Sequence, residues 1–186
     1  MTSPVPPELV VKALRKILAA IEGLGHKAVA IGPMAHQSWG SKREVQGVEL
    51  LISSGEAHRA TLLGAARGEG LQQVSGGGPL SMRFPDPRTG GTVDVEMTEA
   101  TTPLHKQAMG RAQPGAVLQM PMAVATCEDL ILLRAGSAVP ADREMVVELL
   151  RWNAGRIDAA YVKREAEAAG IFDKLKSAWQ EAKQKA

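Results

Sequence analysis

AIGPMAHQSWGSKREVQGVELLIS, residues 30–53, carries the strongest structural signal in the sequence. An apolar segment at 28–31 predicts a strand, and the Gly-Pro pair at 32–33 ends it. A short helix follows and ends near Gly40, and the apolar segment 48–52 predicts a second strand. The spacing therefore predicts strand, turn, helix, turn and strand within a very short length of chain.

The same patterns extend over the rest of the chain and predict an α/β (α+β) fold. Further helices are predicted at 7–25, 54–67, 103–111, 128–135, 141–153 and 156–185, the last broken near Gly170, and further strands at 71–74, 80–84, 92–97 and 116–120. This order indicates a small mixed sheet flanked by helices, with a helical C-terminal extension. We expect an α/β domain at 1–122 and a helical region at 123–186 that packs on it.

Composition limits the function classes. The chain has 186 residues, 45 % of them hydrophobic, so two full domains are not expected. A formal net charge of +2 is too small to indicate a specific nucleic-acid partner. The single cysteine excludes an intramolecular disulfide. No signal-peptide pattern is present and no apolar run approaches the ~20 residues of a membrane span, so we expect a cytoplasmic protein without membrane contact.

The order of glycines, arginine and carboxylates around residues 30–53 resembles the nucleotidyltransferase superfamily of DNA polymerase beta type. The similarity is to the bacterial branch that contains abortive-infection toxins and their minimal relatives. In this resemblance Gly32 takes the first glycine, Gly40 closes the short helix and Arg43 takes the arginine. The segment 91–96, GTVDVE, is similar to the later strand that carries a third carboxylate.

The resemblance implies the residues of a site. A nucleoside triphosphate would be bound by Gly32, Gly40, Ser41 and Arg43. Magnesium is the implied cofactor, because nucleotidyl transfer uses two Mg²⁺ ions about 4 Å apart that carboxylates hold. The candidate catalytic and metal-ligating residues are Glu49, Asp94 and Glu96.

Several positions depart from the family pattern and indicate a degenerate site. Pro33 replaces the second glycine, while Gly47 and Glu49 stand where the family has two aspartates. A glycine supplies no side-chain oxygen for a metal ion. In the helical tail, Arg134 and Asp142 match the family's basic and acidic positions, whereas Ala141 and Met145 replace a lysine and an aspartate.

The alternation of a strand gives the carboxylates two interpretations. Asp94 and Glu96 lie two residues apart, so they point to the same face of a strand and could form a site with Glu49. The competing interpretation is that all three are ordinary solvated polar residues. For Arg134 and Arg143, a solvated position on a helix is favoured over contact with an anion.

Three other features have less weight. His36 lies on the short helix where family members hold triphosphate, although a histidine without a catalytic or metal-binding role is favoured. Cys127 begins a predicted helix, and a packing role is favoured over a reactive thiol. The glycines at 76–78 are interpreted as a loop, since no Gly-Lys-Ser/Thr follows them to cradle a phosphate.

Three functions follow from the sequence. The first is a pseudoenzyme that serves as a binding or regulatory module. Because this function is favoured, we expect that the protein is not an enzyme. The second is an active, divergent Mg²⁺-dependent nucleotidyltransferase that moves NMP from NTP to protein or RNA. The third is an interaction or antitoxin-like scaffold protein whose C-terminal helices contact another protein or a second copy through Phe172, Leu175 and Trp179.

Overall fold

The chain folds around one mixed sheet, as seen in a computed structural model that describes residues 5–74, 80–137 and 139–184. The strands are β1 (Ala28–Ala30), β2 (Val48–Ile52), β3 (Gln72–Gln73), β4 (Ser81–Pro85), β5 (Thr92–Glu99), β6 (Gln113–Val117) and β7 (Met120–Val124). The helices are α1 (Pro7–Gly23), α2 (Gly32–Ser38), α3 (Arg59–Gly68), α4 (Pro103–Arg111), α5 (Cys127–Ala135), α6 (Pro140–Trp152), α7 (Ala159–Ala168) and α8 (Phe172–Gln184). The predicted α/β fold class, with C-terminal helices, is confirmed.

Within the described residues, seven strands form the sheet in the order β3-β4-β5-β2-β1-β7-β6. β2 lies at its centre, antiparallel to β1 and parallel to β5. In β2 the side chains alternate, so Val48, Leu50 and Ile52 are buried on one face while Glu49 lies on the opposite face. The sheet thus places one carboxylate in its most protected strand.

The helices enclose the sheet through a continuous apolar core. α1 buries a stripe of apolar residues at helical spacing and contacts β1, β2 and β5: Leu9, Val10, Ala13, Leu14, Ile17, Ala20 and Ile21. The C-terminal helices belong to the same hydrophobic cluster, to which Ile131, Val146, Val162 and Leu175 contribute. The proposed division of the chain after residue 122 stays a prediction.

One predicted element is wrong. The apolar segment 116–120 was expected to form a single strand, but a turn at Leu118 and Gln119 divides it between β6 and β7. Both turn residues have positive φ, of 48° and 66°, a conformation that glycine and asparagine favour. The turn lacks those residues, so the sequence gives no signal for it. The glycines at 76–78 lie outside the described residues.

Candidate functional site

Glu49 and Glu96 are neighbours on the sheet. β2 and β5 are parallel, and Glu49 is in register with Glu96. Registered partners in adjacent strands present their side chains on the same face, so the two carboxylates lie side by side. This is the part of the predicted acidic cluster that the fold brings together.

Arg134 of α5 binds the Glu49 carboxylate directly. One terminal nitrogen of its guanidinium contacts Glu49 Oε2, and the other donates to Asp142 Oδ1 at 2.9 Å. The three side chains are at most 30 % exposed, so water screens this ion triad less than a surface pair. Arg134 therefore contacts an anion, contrary to the favoured solvated position, and that anion is a carboxylate of the protein itself.

Gly32 provides the space for this contact. It begins α2 with a φ of +62°, and a Cβ at this position would overlap the Glu49 carboxylate and lie 2.8 Å from Arg134 Nη2. Glycine is required there by both the backbone conformation and the close approach. The Ile31 amide adds a hydrogen bond of 3.1 Å to the Glu49 carbonyl, which fixes the strand beside the start of α2.

The other two candidate carboxylates have local partners. Glu96 accepts a hydrogen bond of 2.6 Å from Ser81 Oγ on β4, and Asp94 forms an ion pair of 2.7 Å with Arg83. Across residues 5–74, 80–137 and 139–184, no group of three or more His, Cys, Asp or Glu side chains is arranged to hold a metal ion. The side chains present do not fit a two-magnesium centre, and the ligand role of Glu49, Asp94 and Glu96 stays a prediction.

Gly47 has little room for the aspartate of the family pattern. A Cβ built at this position would lie 3.0 Å from the Asp94 backbone oxygen, closer than ordinary van der Waals contact. An aspartate would therefore require the neighbouring strand to shift by a few tenths of an ångström. Position 47 therefore has no side-chain oxygen, and it lies where the two strands come close together.

Arg43, expected to contact phosphate, is bound by α6. Its Nε and one terminal nitrogen donate to the two carboxylate oxygens of Glu148 at 3.0 and 2.8 Å, and Glu144 lies 3.3 Å away. These hydrogen bonds to Glu148 raise the pKa of Arg43 above its ordinary value. The arginine is therefore charged, and protein carboxylates occupy two of its donors.

Gly40 and Ser41, the other predicted nucleotide contacts, form the turn after α2. Gly40 has a φ of +102°, and Ser41 is buried, with its Oγ accepting a hydrogen bond of 3.2 Å from the Arg43 amide. Asn153 joins this turn to α6 by donating to the Trp39 carbonyl at 3.1 Å. The nucleotide-binding role of these residues stays a prediction.

His36 lies buried on α2 beside the ion triad. Burial, reinforced by the nearby Arg134 charge, lowers the pKa of His36 from 6.5 to about 4. Its Nε2 has no hydrogen-bond partner among the described residues. The imidazole is therefore neutral at physiological pH and contributes no charge to the site.

The thiol of Cys127, the single cysteine of the sequence, is not activated. Cys127 is buried at the start of α5, and burial raises its pKa to about 12. A thiol that is almost fully protonated at neutral pH is a poor nucleophile. The favoured packing role of Cys127 agrees with this environment.

The sequence placed Arg134 and Asp142 at basic and acidic positions of the family pattern but did not predict the contact of Arg134 with Glu49. Glu49 and Arg134 are 85 positions apart. Only the packing of α5 against the start of α2 brings them together. The family's tail pattern at Arg134 and Asp142 was the one signal that pointed to this region.

The fold is similar to two solved structures. An antigenic nucleotidyltransferase-like protein from Paracoccidioides brasiliensis is 14 % identical, with 92 % of each chain covered and a TM-score of 0.54. The antibiotic-resistance factor ANT(2'')-Ia is 16 % identical, with 94 % of this chain and 95 % of that chain covered and a TM-score of 0.54. At these identities the likeness concerns the fold alone, and the chain has a nucleotidyltransferase-like fold, as expected.

Comparisons by sequence give no further assignment. No protein-family model matches the chain, and no curated protein matches it. Among the helices of the described residues, none combines the length and apolar character needed to cross a membrane.

Proposed function

We propose that this nucleotidyltransferase-fold protein is a pseudoenzyme that serves as a binding or regulatory module. The observation that carries the proposal is the ion triad, in which the Arg134 guanidinium joins the Glu49 carboxylate to Asp142. The carboxylate that the resemblance makes a metal ligand is bound by a cation from the protein's own α5 helix.

The charge balance supports this proposal. A metal-dependent transferase needs carboxylates that are free to neutralise Mg²⁺. Glu49 shares the single positive charge of Arg134 with Asp142, and separating a buried pair without replacement costs about 3–5 kcal/mol. The partial exposure of this pair reduces that cost, yet a metal ion would still have to compete with Arg134 for the Glu49 carboxylate.

The loss of an oxygen at position 47 supports the same conclusion. Mg²⁺ requires near-octahedral coordination by oxygen ligands, and two ions share the carboxylates of a transfer site. Gly47 supplies none, and Asp94 is paired with Arg83. Glu49 and Glu96 then remain as the adjacent carboxylates.

One observation favours the alternative of an active, divergent Mg²⁺-dependent nucleotidyltransferase that transfers NMP to protein or RNA. Glu49 and Glu96 are in register on parallel strands, which is the arrangement that could share a single metal ion if Arg134 moved away. In that alternative Arg43 would release Glu148 to contact phosphate. Both changes require existing ion pairs to open.

Isothermal titration separates the two functions. The purified protein is titrated with ATP, GTP, CTP and UTP, each with and without Mg²⁺, and we expect no heat of binding. A Glu49→Gln variant serves as the matched control, since it removes one charge without changing the size of the side chain. Mg²⁺-dependent binding in the wild type that disappears in Glu49→Gln would overturn the proposal and justify a transfer assay.

A further inference from the structure

The C-terminal helices carry a second feature, a groove between α7 and α8. It has a volume of about 350 Å³, and its apolar floor includes Phe172, Leu175 and Trp179. Leu175, expected to contact another chain together with Phe172 and Trp179, is buried in the protein's own core instead. Phe172 and Trp179 are only partly buried, so they are the apolar side chains that a partner could reach.

The charged side chains on the rim of this groove are positive. Among the described residues, Lys163, Lys176 and Lys183 line it and no acidic residue does. Lys163 lies 3.8 Å from Glu167 and over the Phe172 ring, at 5.8 Å from its centroid. Within the part of the chain that the structure describes, Lys176 and Lys183 form no ion pair. Their charges are free to attract an anionic partner.

The spacing of these residues favours a helical partner. Phe172 and Trp179 are seven residues apart on α8, and so are Lys176 and Lys183. Seven residues span about 10 Å, or two helical turns. Two parallel rows with this repeat match the apolar seam and the flanking charges by which one helix recognises another.

We propose that the α7–α8 groove binds an acidic amphipathic helix of a partner protein. Apolar side chains of the partner, one heptad apart, pack on Phe172 and Trp179, and its carboxylates pair with Lys176 and Lys183. The inference supplies the partner class for the binding role proposed above, and in that respect it rests on the proposed function. The groove itself is built from residues that do not belong to the ion triad.

Peptide binding to the full-length protein tests the proposal. The probe is a fluorescent peptide of about three heptads, with leucines on the seam and glutamates beside it, and a matched peptide carries lysine at each glutamate position. We expect fluorescence anisotropy to give a Kd of about 1–50 µM for the acidic peptide and no measurable binding of the basic one. Binding should weaken as salt concentration rises.

Charge reversal locates the binding surface. Lys176→Glu with Lys183→Glu should weaken binding of the acidic peptide about tenfold or more. The control, Arg67→Glu with Lys106→Glu, makes the same change in net charge on α3 and α4 and should bind within about twofold of wild type. Circular dichroism verifies that each variant is folded.

Several results would overturn the inference. These are absence of binding at about 200 µM peptide, equal binding of both peptides, or equal weakening by the groove and control variants. Self-association in sedimentation experiments that Trp179→Ala abolishes, without peptide binding, would assign the groove to a second copy instead. Peptide binding and nucleotide titration are separate readouts, so failure of this inference can be distinguished from failure of the proposed pseudoenzyme.

Discussion

At the scale of single residues, loss of Arg134 should lower stability more than loss of Glu49, because Arg134 has two partners in the ion triad. Replacing Arg134 with methionine leaves both Glu49 and Asp142 without a counter-charge, whereas Glu49→Gln leaves Arg134 paired with Asp142. We expect Arg134→Met to lower the free energy of unfolding by about 2–3 kcal/mol and Glu49→Gln by about 1 kcal/mol. Urea denaturation of the two variants measures both values.

The double variant completes this test. If Arg134 and Glu49 interact directly, the double variant should be more stable than the sum of the single losses predicts, by about 1 kcal/mol. A simple sum of the two losses would mean that the Arg134–Glu49 pair contributes nothing and that Arg134 acts through Asp142 or through packing.

His36 gives a prediction about pH. Its folded-state pKa of about 4 lies below the value of 6.5 for an unperturbed histidine, so the unfolded chain binds a proton first as pH falls. The stability contributed by neutral His36 is complete above pH 6.5 and decreases toward pH 4, by about 3 kcal/mol in all and about 2 kcal/mol by pH 5.

The measurement compares wild type with His36→Leu, which does not titrate at this position. Urea unfolding at several pH values between 4 and 7.5 should show a smaller loss of stability in the variant as pH decreases. Nearby charges of Arg134, Glu148, Arg43 and Asp142 act on both proteins, so the difference between the curves isolates the histidine. Parallel curves would mean that His36 binds its proton equally well in the folded protein.

The sequence could predict which residues belong to the site more readily than it could predict the contacts that they make. Local spacing placed Gly32 in a tight turn and Glu49 on a strand, and the resemblance to nucleotidyltransferases made both of them candidate site residues. The partners of Arg43 and Arg134 were not predicted, since Glu148 and Glu49 approach them only after the helices have packed. Arginine side chains are long, and their partners depend on tertiary structure.

At the scale of elements, the β6–β7 hairpin contains a backbone conformation that its residues disfavour. Leu118 and Gln119 both have positive φ, and Val117 pairs with Met120 across the two-residue turn. Asparagine followed by glycine suits such a turn much better. We expect Leu118→Asn with Gln119→Gly to raise the free energy of unfolding by about 1–2 kcal/mol.

Thermal and urea denaturation measure this gain. Exchanging the order, with Leu118→Gly and Gln119→Asn, provides a matched comparison of the same composition. A loss of stability in the Asn-Gly variant would show that packing of the partly buried Leu118 outweighs the relief of backbone strain.

Other elements could be predicted because their signals are local. The apolar stripe of α1 and the break at Gly170 between α7 and α8 follow from periodicity and a helix-ending glycine. The β6–β7 hairpin could not be predicted, because it has no local signal. Its turn has no turn-forming residue, so pairing along the sheet, and not local preference, determines where the chain reverses.

At the scale of the whole molecule, the C-terminal helices are joined to the sheet by both apolar and polar contacts. One core cluster extends from α1 to α8. The Trp39 indole donates to the Ala125 carbonyl at 3.0 Å, and Arg43 binds Glu148 of α6. We therefore expect the regions before and after residue 122 to unfold together. Circular dichroism and tryptophan fluorescence should give coincident transitions, while two separate transitions would indicate independent domains.

Removal of α8 is the sharpest test of whether the C-terminal helices and the sheet form one cooperative unit. A chain ending at Gly170 lacks Leu175, Ala178 and Ala182, which are buried against the rest of the protein. Burial of one large apolar side chain contributes about 1.5–3 kcal/mol, so the loss of the whole face amounts to about 5 kcal/mol. That is comparable to the total stability of many domains. We expect the shortened chain to lose its cooperative urea transition, and a near-normal midpoint would mean that α8 is an appendage on an already stable fold.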